Sequence, residues 1–189
     1  MTEREWVKTL ISGIEASLRA KSDNIRVTDG FRLPYSSEII MYSGNEPSGF
    51  NQIGYETDIL VYEQFANENW KPRIIIETKI NKVTTHDAIT YSQKAQTHKN
   101  VHPYLRYGIL IGNRKHYPLP GRLFRHGQHF DFMQSWVKYN ADNNEWLELI
   151  RILENEIEAS KMLEEILFNS RSRTREKYTI LHRPLILKK

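Results

Sequence analysis

Three side chains in this 189-residue chain have the types and spacing to do chemistry. Asp58 lies inside YETDILVYE (residues 55–63), and Glu77 and Lys79 end RIIIETKI (Arg73–Ile80). An Asp is poorly suited to a run of strand formers, so its position there needs a reason. In a strand, side chains alternate between faces, so Ile75, Glu77 and Lys79 share one face. Burying charges beside each other is costly without a partner or a metal ion. If the two segments pair as neighbouring strands, Asp58 and Glu77 face each other. Two carboxylates held close repel, and a proton or a cation must settle them. With oxygen donors and no Cys in the chain, Mg²⁺ is the natural ion and Mn²⁺ a substitute. The backbone carbonyl of Thr78 points near the same place as a further donor. Lys79 could then position a water or stabilise charge on a phosphoryl oxygen. That set suits phosphodiester hydrolysis. The competing reading is an ordinary ion pair at a sheet edge, and the three consecutive isoleucines argue against it by marking a central strand.

The elements that must hold these residues follow from periodicity. Trp6, Leu10, Ile11, Ile14 and Leu18 recur at helical spacing, which predicts a helix over residues 3–20. Residues 22–36 read as loop with a short extended piece at Ile25–Val27. Ser37–Tyr42 is a short strand, SGNEPSG (Ser43–Gly49) a turn, and Tyr55–Tyr62 a second strand. Arg73–Ile80 is the third. Thr84–His98 reads as a helix capped by Thr84 or Thr85 with Asp87 in its first turn. Leu105–Gly112 is a fourth, buried strand. Arg122–Arg125 and His129–Trp136 suggest a hairpin, Asn143–Phe168 a long helix, and Tyr178–Leu187 a last strand. The expected class is α/β. Three antiparallel strands are followed by a crossover helix to the fourth, giving a mixed central sheet flanked by helices. One domain over residues 1–189 is expected, with a core at about 3–112 and C-terminal additions over 122–189.

YETDILVYE and IIIETKI together resemble the metal-binding motif of the PD-(D/E)XK nuclease superfamily, the restriction endonuclease-like fold. Asp58 matches the Asp, Glu77 the acidic residue and Lys79 the lysine; Thr57 stands where a proline often stands. The resemblance implies an αβββαβ core and Mg²⁺-dependent cleavage of DNA. It also implies an acidic residue on the first helix, for which Glu15 is the candidate. A polar residue from the helix after the Glu-x-Lys strand is implied too; Gln93 is chosen, with Lys94 and Gln96 as rivals. Gln93 is followed four residues later by Thr97 rather than Tyr, so the exonuclease sub-pattern is absent. The implied enzyme is an endonuclease, type II restriction-like. Two alternatives are a repair, transposition or structure-specific nuclease of the same fold, and a non-catalytic nucleic-acid-binding protein.

Charge distribution points to the same partner. Residues 71–138 carry 12 basic and 3 acidic residues, whereas residues 1–70 carry 6 and 11. Such blocks favour a polyanion more than the net charge of +4 does. Arg106, Arg114, Lys115 and Tyr117 border a strand near the expected site and are candidate contacts to double-stranded DNA, as are Arg171, Arg173 and Arg175 in the tail. The loop SGNEPSGFNQ could reach a groove. His126 and His129 lack a convincing third ligand for zinc. A double-strand cut favours a symmetric homodimer, and the stripe on the helix at 143–168 could serve its own core or a second copy. The absence of Cys, of a signal-like N-terminus and of any apolar run of about 20 residues suits a cytoplasmic protein without a membrane span.

Overall fold

The computed structural model describes residues 1–115 and 118–169. Tyr117, Arg171, Arg173 and Arg175, and the strand expected at Tyr178–Leu187, lie outside the described residues. Helix α1 (Glu3–Arg19) starts at Thr2, whose side chain and Glu5 form a reciprocal capping box. Its face of Trp6, Val7, Leu10, Ile14 and Leu18 is buried. Strand β1 (Ile25–Asp29) leads into a long hairpin, β2 (Arg32–Ser43) and β3 (Glu46–Glu56). Then follow β4 (Ile59–Gln64), β5 (Trp70–Ile80), α2 (Thr85–Val101), β6 (Arg106–Gly112), α3 (Gly121–His126), β7 (Phe132–Ser135) and α4 (Asn143–Glu164).

Five strands form a mixed sheet in the order β1-β4-β5-β6-β7. The first three are mutually antiparallel, and β6 and β7 run parallel to β5. Helix α2 makes the crossover from β5 to β6. The α/β class, the mixed sheet and its flanking helices are as expected. The isoleucines of β5 divide between two cores. Ile74 and Ile76 pack with α1 and α4, while Ile75 packs with α2, Tyr107, Ile109 and Ile111. A strand covered on both faces loses polar alternation, which explains the continuous apolar run.

Four strand expectations change. The piece at Ile25–Val27 is a core strand, and Ser37–Tyr42 is not. It belongs to the two-stranded β2–β3 sheet outside the main one. The run at Tyr55–Tyr62 is broken between β3 and β4, where Thr57 and Asp58 leave the ladder. In place of a hairpin after residue 121, α3 buries Leu123 and β7 joins the edge of β6 in parallel. Close approach demands glycine here: a Cβ on Gly108 would lie 2.3 Å from the Phe132 ring.

Helix α4 uses its stripe within its own chain. Leu149, Ile150, Leu153 and Ile157 are buried in the α1 side of the core. Arg73 of β5 is also clamped there by Glu63 and by Glu164. Among the described residues no helix is long and apolar enough to cross a membrane.

Candidate active site

Asp58 stands at the mouth of β4 because its neighbours hold it there. Thr57 is fully buried. Its N–H and hydroxyl both donate to the Phe31 carbonyl, at 2.9 and 3.0 Å, and its own carbonyl accepts from Gly30. A proline at 57 has no N–H to give Phe31, so threonine suits this turn. The β4–β5 register continues from Ile59 opposite Ile76, which brings Asp58 alongside Glu77. Asp58 Oδ2 accepts from both the Thr78 N–H at 2.7 Å and the Thr78 hydroxyl at 2.9 Å. The N–H and C=O of one strand residue point to the same side. The Thr78 carbonyl therefore also faces the Asp58 side.

Glu77 is buried on the α2 face, 1% exposed. Its Oε1 accepts from the Tyr107 hydroxyl at 2.5 Å and from Lys94 Nζ at 3.4 Å. Burial first, then the Asp58 charge, push the Glu77 carboxyl up to about 7; Lys94 and the Tyr107 bond oppose this. Burial and the Glu77 charge raise the Tyr107 hydroxyl well above its ordinary value, so it stays a donor. Each carboxylate thus has one oxygen engaged. Among the described residues no hydrogen bond or ion pair engages Asp58 Oδ1 or Glu77 Oε2.

Lys79 shares the Glu77 face, but its ammonium is engaged by Glu3 at 3.3 Å and Asp87 at 3.8 Å. Burial would lower its pKa, but the Tyr91 hydroxyl, Glu3 and Asp87 outweigh it and raise it. Tyr91 links the two lysines, with Lys79 and Lys94 each 5.2 Å from its ring centroid. The site is therefore formed by Asp58, Glu77 and Thr78, with Lys79, Lys94, Tyr91 and Tyr107 around them.

Two expected positions fall elsewhere. Glu15 accepts from the Val27 N–H at 2.9 Å and pairs with Arg19; it ties α1 to β1. Gln93 is exposed on α2, and Lys94, one residue on, takes the inward place. Glu3 at the start of α1, not Glu15, is the acidic residue reaching the Lys79 end of β5, through Lys79 and the Ile80 N–H. Sequence pattern missed Tyr91, Tyr107 and Glu3; an aromatic on a buried face reads as core, and Glu3 as a helix-start acid.

Of the expected DNA contacts, Arg106 is buried and paired with Asp131 and Glu156. It fastens β6 to α4 and is not available to a phosphate. Arg114 and Lys115 instead line a depression of about 410 Å³ with Asn81, Lys82 and Asn113, beyond the C-terminal ends of β5 and β6. His126 is exposed and His129 half-buried. No group of three or more His, Cys, Asp or Glu side chains suited to a metal gathers among the described residues. Any ion at Asp58 and Glu77 would therefore need the Thr78 carbonyl and water to complete its shell.

No family model matches the chain, and no curated protein matches it. Among solved structures, the crystal structure of the pre-specific restriction endonuclease BsaWI–DNA complex is similar, with a TM-score of 0.40 and 12% identity. The alignment covers 87% of this chain and 66% of that chain, just under two thirds of its length.

Proposed function

We propose that the protein is a metal-dependent DNA endonuclease that hydrolyses phosphodiester bonds in a restriction-like manner. The observation that carries this reading is the paired carboxylates, each with one oxygen held by donors and one left over. Asp58 Oδ1, Glu77 Oε2 and the Thr78 carbonyl form an all-oxygen donor set, which fits Mg²⁺, or Mn²⁺ in its place. A divalent ion held there supplies Lewis acidity and lowers the pKa of a bound water.

The chain's own residues do the rest. Burial and Asp58 disfavour the charged form of the Glu77 carboxyl, and a cation in the site would favour it. Lys79, kept protonated by its acidic neighbours, serves as an electrostatic stabiliser of phosphoryl charge rather than as a base. Lys94 and Tyr107 hold Glu77 in place. Lys82, Arg114 and Lys115 at the rim suit backbone phosphates, which position a duplex without reading its sequence.

Plasmid cleavage tests this reading. The wild-type chain should nick or cut DNA with Mg²⁺ and stop with EDTA. Asp58→Asn and Glu77→Gln should lose cleavage by about 10²–10³-fold or more while still binding DNA. Undiminished cutting by either variant would remove the site assignment. Binding without any cutting by the wild type would favour a non-catalytic DNA-binding protein.

A further inference from the structure

The β2–β3 hairpin stands outside the main sheet, and among the described residues its strands pair only with each other. Beyond the root of β2, which His98 of α2 holds at Leu33, no described strand lies along either outer edge. A two-stranded ribbon alone is marginal in water and needs cover. Its outer part is apolar on both faces. Ile39 pairs with Phe50, and Met41 with Ser48, on one face. Ile40 and Tyr42 alternate onto the other. Ile40, Met41, Tyr42 and Phe50 are each more than half exposed. A cluster of this kind marks an interaction surface.

Charge decides the class of partner. Residues 33–70 contain no Lys or Arg, and the hairpin between Leu33 and Tyr55 carries only Glu38 and Glu46. A nucleic acid needs cations to neutralise its phosphates, so this ribbon is not its contact. The open edge of β2 then decides the occupant. Edge strands usually carry Lys, Pro or a bulge that blocks pairing. The bulge of β2 lies at Pro34/Ser36, before the open edge, and the one proline near the tip, Pro47, is on β3. The run Ile39–Ser43 is uncharged and rich in strand formers. Laid antiparallel against itself about Ile40, it sets Glu38 opposite Tyr42, so no like charges meet.

We propose that the outer edge of β2 pairs antiparallel with the same edge of a second copy, making the hairpin a self-association arm. A two-fold arrangement of this kind is isologous and closes at two chains. It does not depend on the nuclease reading, and its test measures mass rather than cleavage.

The test is sedimentation velocity on the full chain over a micromolar concentration series. The wild type should sediment as two chains, and Ile40→Lys with Tyr42→Lys should weaken association by at least about tenfold, with an unchanged circular dichroism spectrum. A monomeric wild type overturns the proposal. So does a double variant as dimeric as the wild type, or a dimer broken by Leu147→Lys on the exposed side of α4 instead. If the double variant fails to fold, hydrogen exchange of the wild type decides. Amides of residues 37–43 should exchange more slowly at dimeric concentrations, and no difference overturns the proposal.

Discussion

One oxygen of Asp58 is committed to Thr78 and the other is not, and this asymmetry separates two substitutions. Asn at 58 keeps an acceptor for both Thr78 donors. Ala leaves a buried N–H and hydroxyl unpaired, at a cost of about 1–3 kcal/mol. Urea denaturation should therefore show Asp58→Ala clearly less stable than Asp58→Asn, although both lose cleavage. Equal stability would mean that the Thr78 bonds do not matter. Tyr107→Phe removes the hydroxyl that holds Glu77 Oε1 without changing the ring. Groups that orient a metal ligand are worth about 10–100-fold in affinity, so Mn²⁺ binding by calorimetry should weaken by that much. Asp58, Glu77 and Lys79 were legible in sequence because charges inside apolar strand runs demand an explanation. Sequence does not separate Gln93 from Lys94, because α2 buries small and polar residues, Ala88, Ser92, Ala95 and His98, and so has no strong apolar stripe to set its rotation. One residue on a helix turns the side chain by about 100°.

His98 shows how one element is tied to another. It lies between α2 and the root of β2, with Nδ1 3.1 Å from the Lys94 carbonyl and Nε2 3.2 Å from that of Leu33. Burial pushes its pKa down to about 4, against the two carbonyls that favour the charged form. A neutral imidazole has one N–H and so serves one carbonyl. Because the folded value is below the ordinary one of about 6.5, this stabilisation is fully present above about pH 6.5 and is lost as pH falls toward about 4, roughly 3 kcal/mol in all. Urea midpoints across that interval should fall for the wild type and flatten in His98→Gln. At the β6–β7 pair, Gly108→Ala forces a Cβ against Phe132 and should cost about 1–3 kcal/mol in the same assay. The long helices and buried strands of this architecture were readable from their periodicity. Of the hairpin only Ser37–Tyr42 and the turn after it were readable, because its apolar residues lie on both faces and follow no core-facing alternation. Strand β1 was readable only as the extended piece Ile25–Val27, being short and set among Asn, Asp and Gly.

Over the whole molecule, much of the positive charge in residues 71–138 is structural. Arg73 and Arg106 are buried in ion pairs, so sequence charge overstated the surface left for DNA. Lys82 and Lys115 remain exposed at the strand ends. Lys82→Ala and Lys115→Ala should each weaken DNA binding and lower the salt slope by about 1, as read by fluorescence anisotropy over a salt series. An unchanged slope would place the duplex elsewhere. The proposed cleavage depends on Asp58 and Glu77 sharing one cation. Anomalous diffraction from Mn²⁺-soaked crystals measures this directly. The expected result is one peak bound by Asp58 Oδ1, Glu77 Oε2 and the Thr78 carbonyl. A Mn²⁺ peak elsewhere with none at this pair, or a peak that persists unchanged in Asp58→Asn, would contradict it.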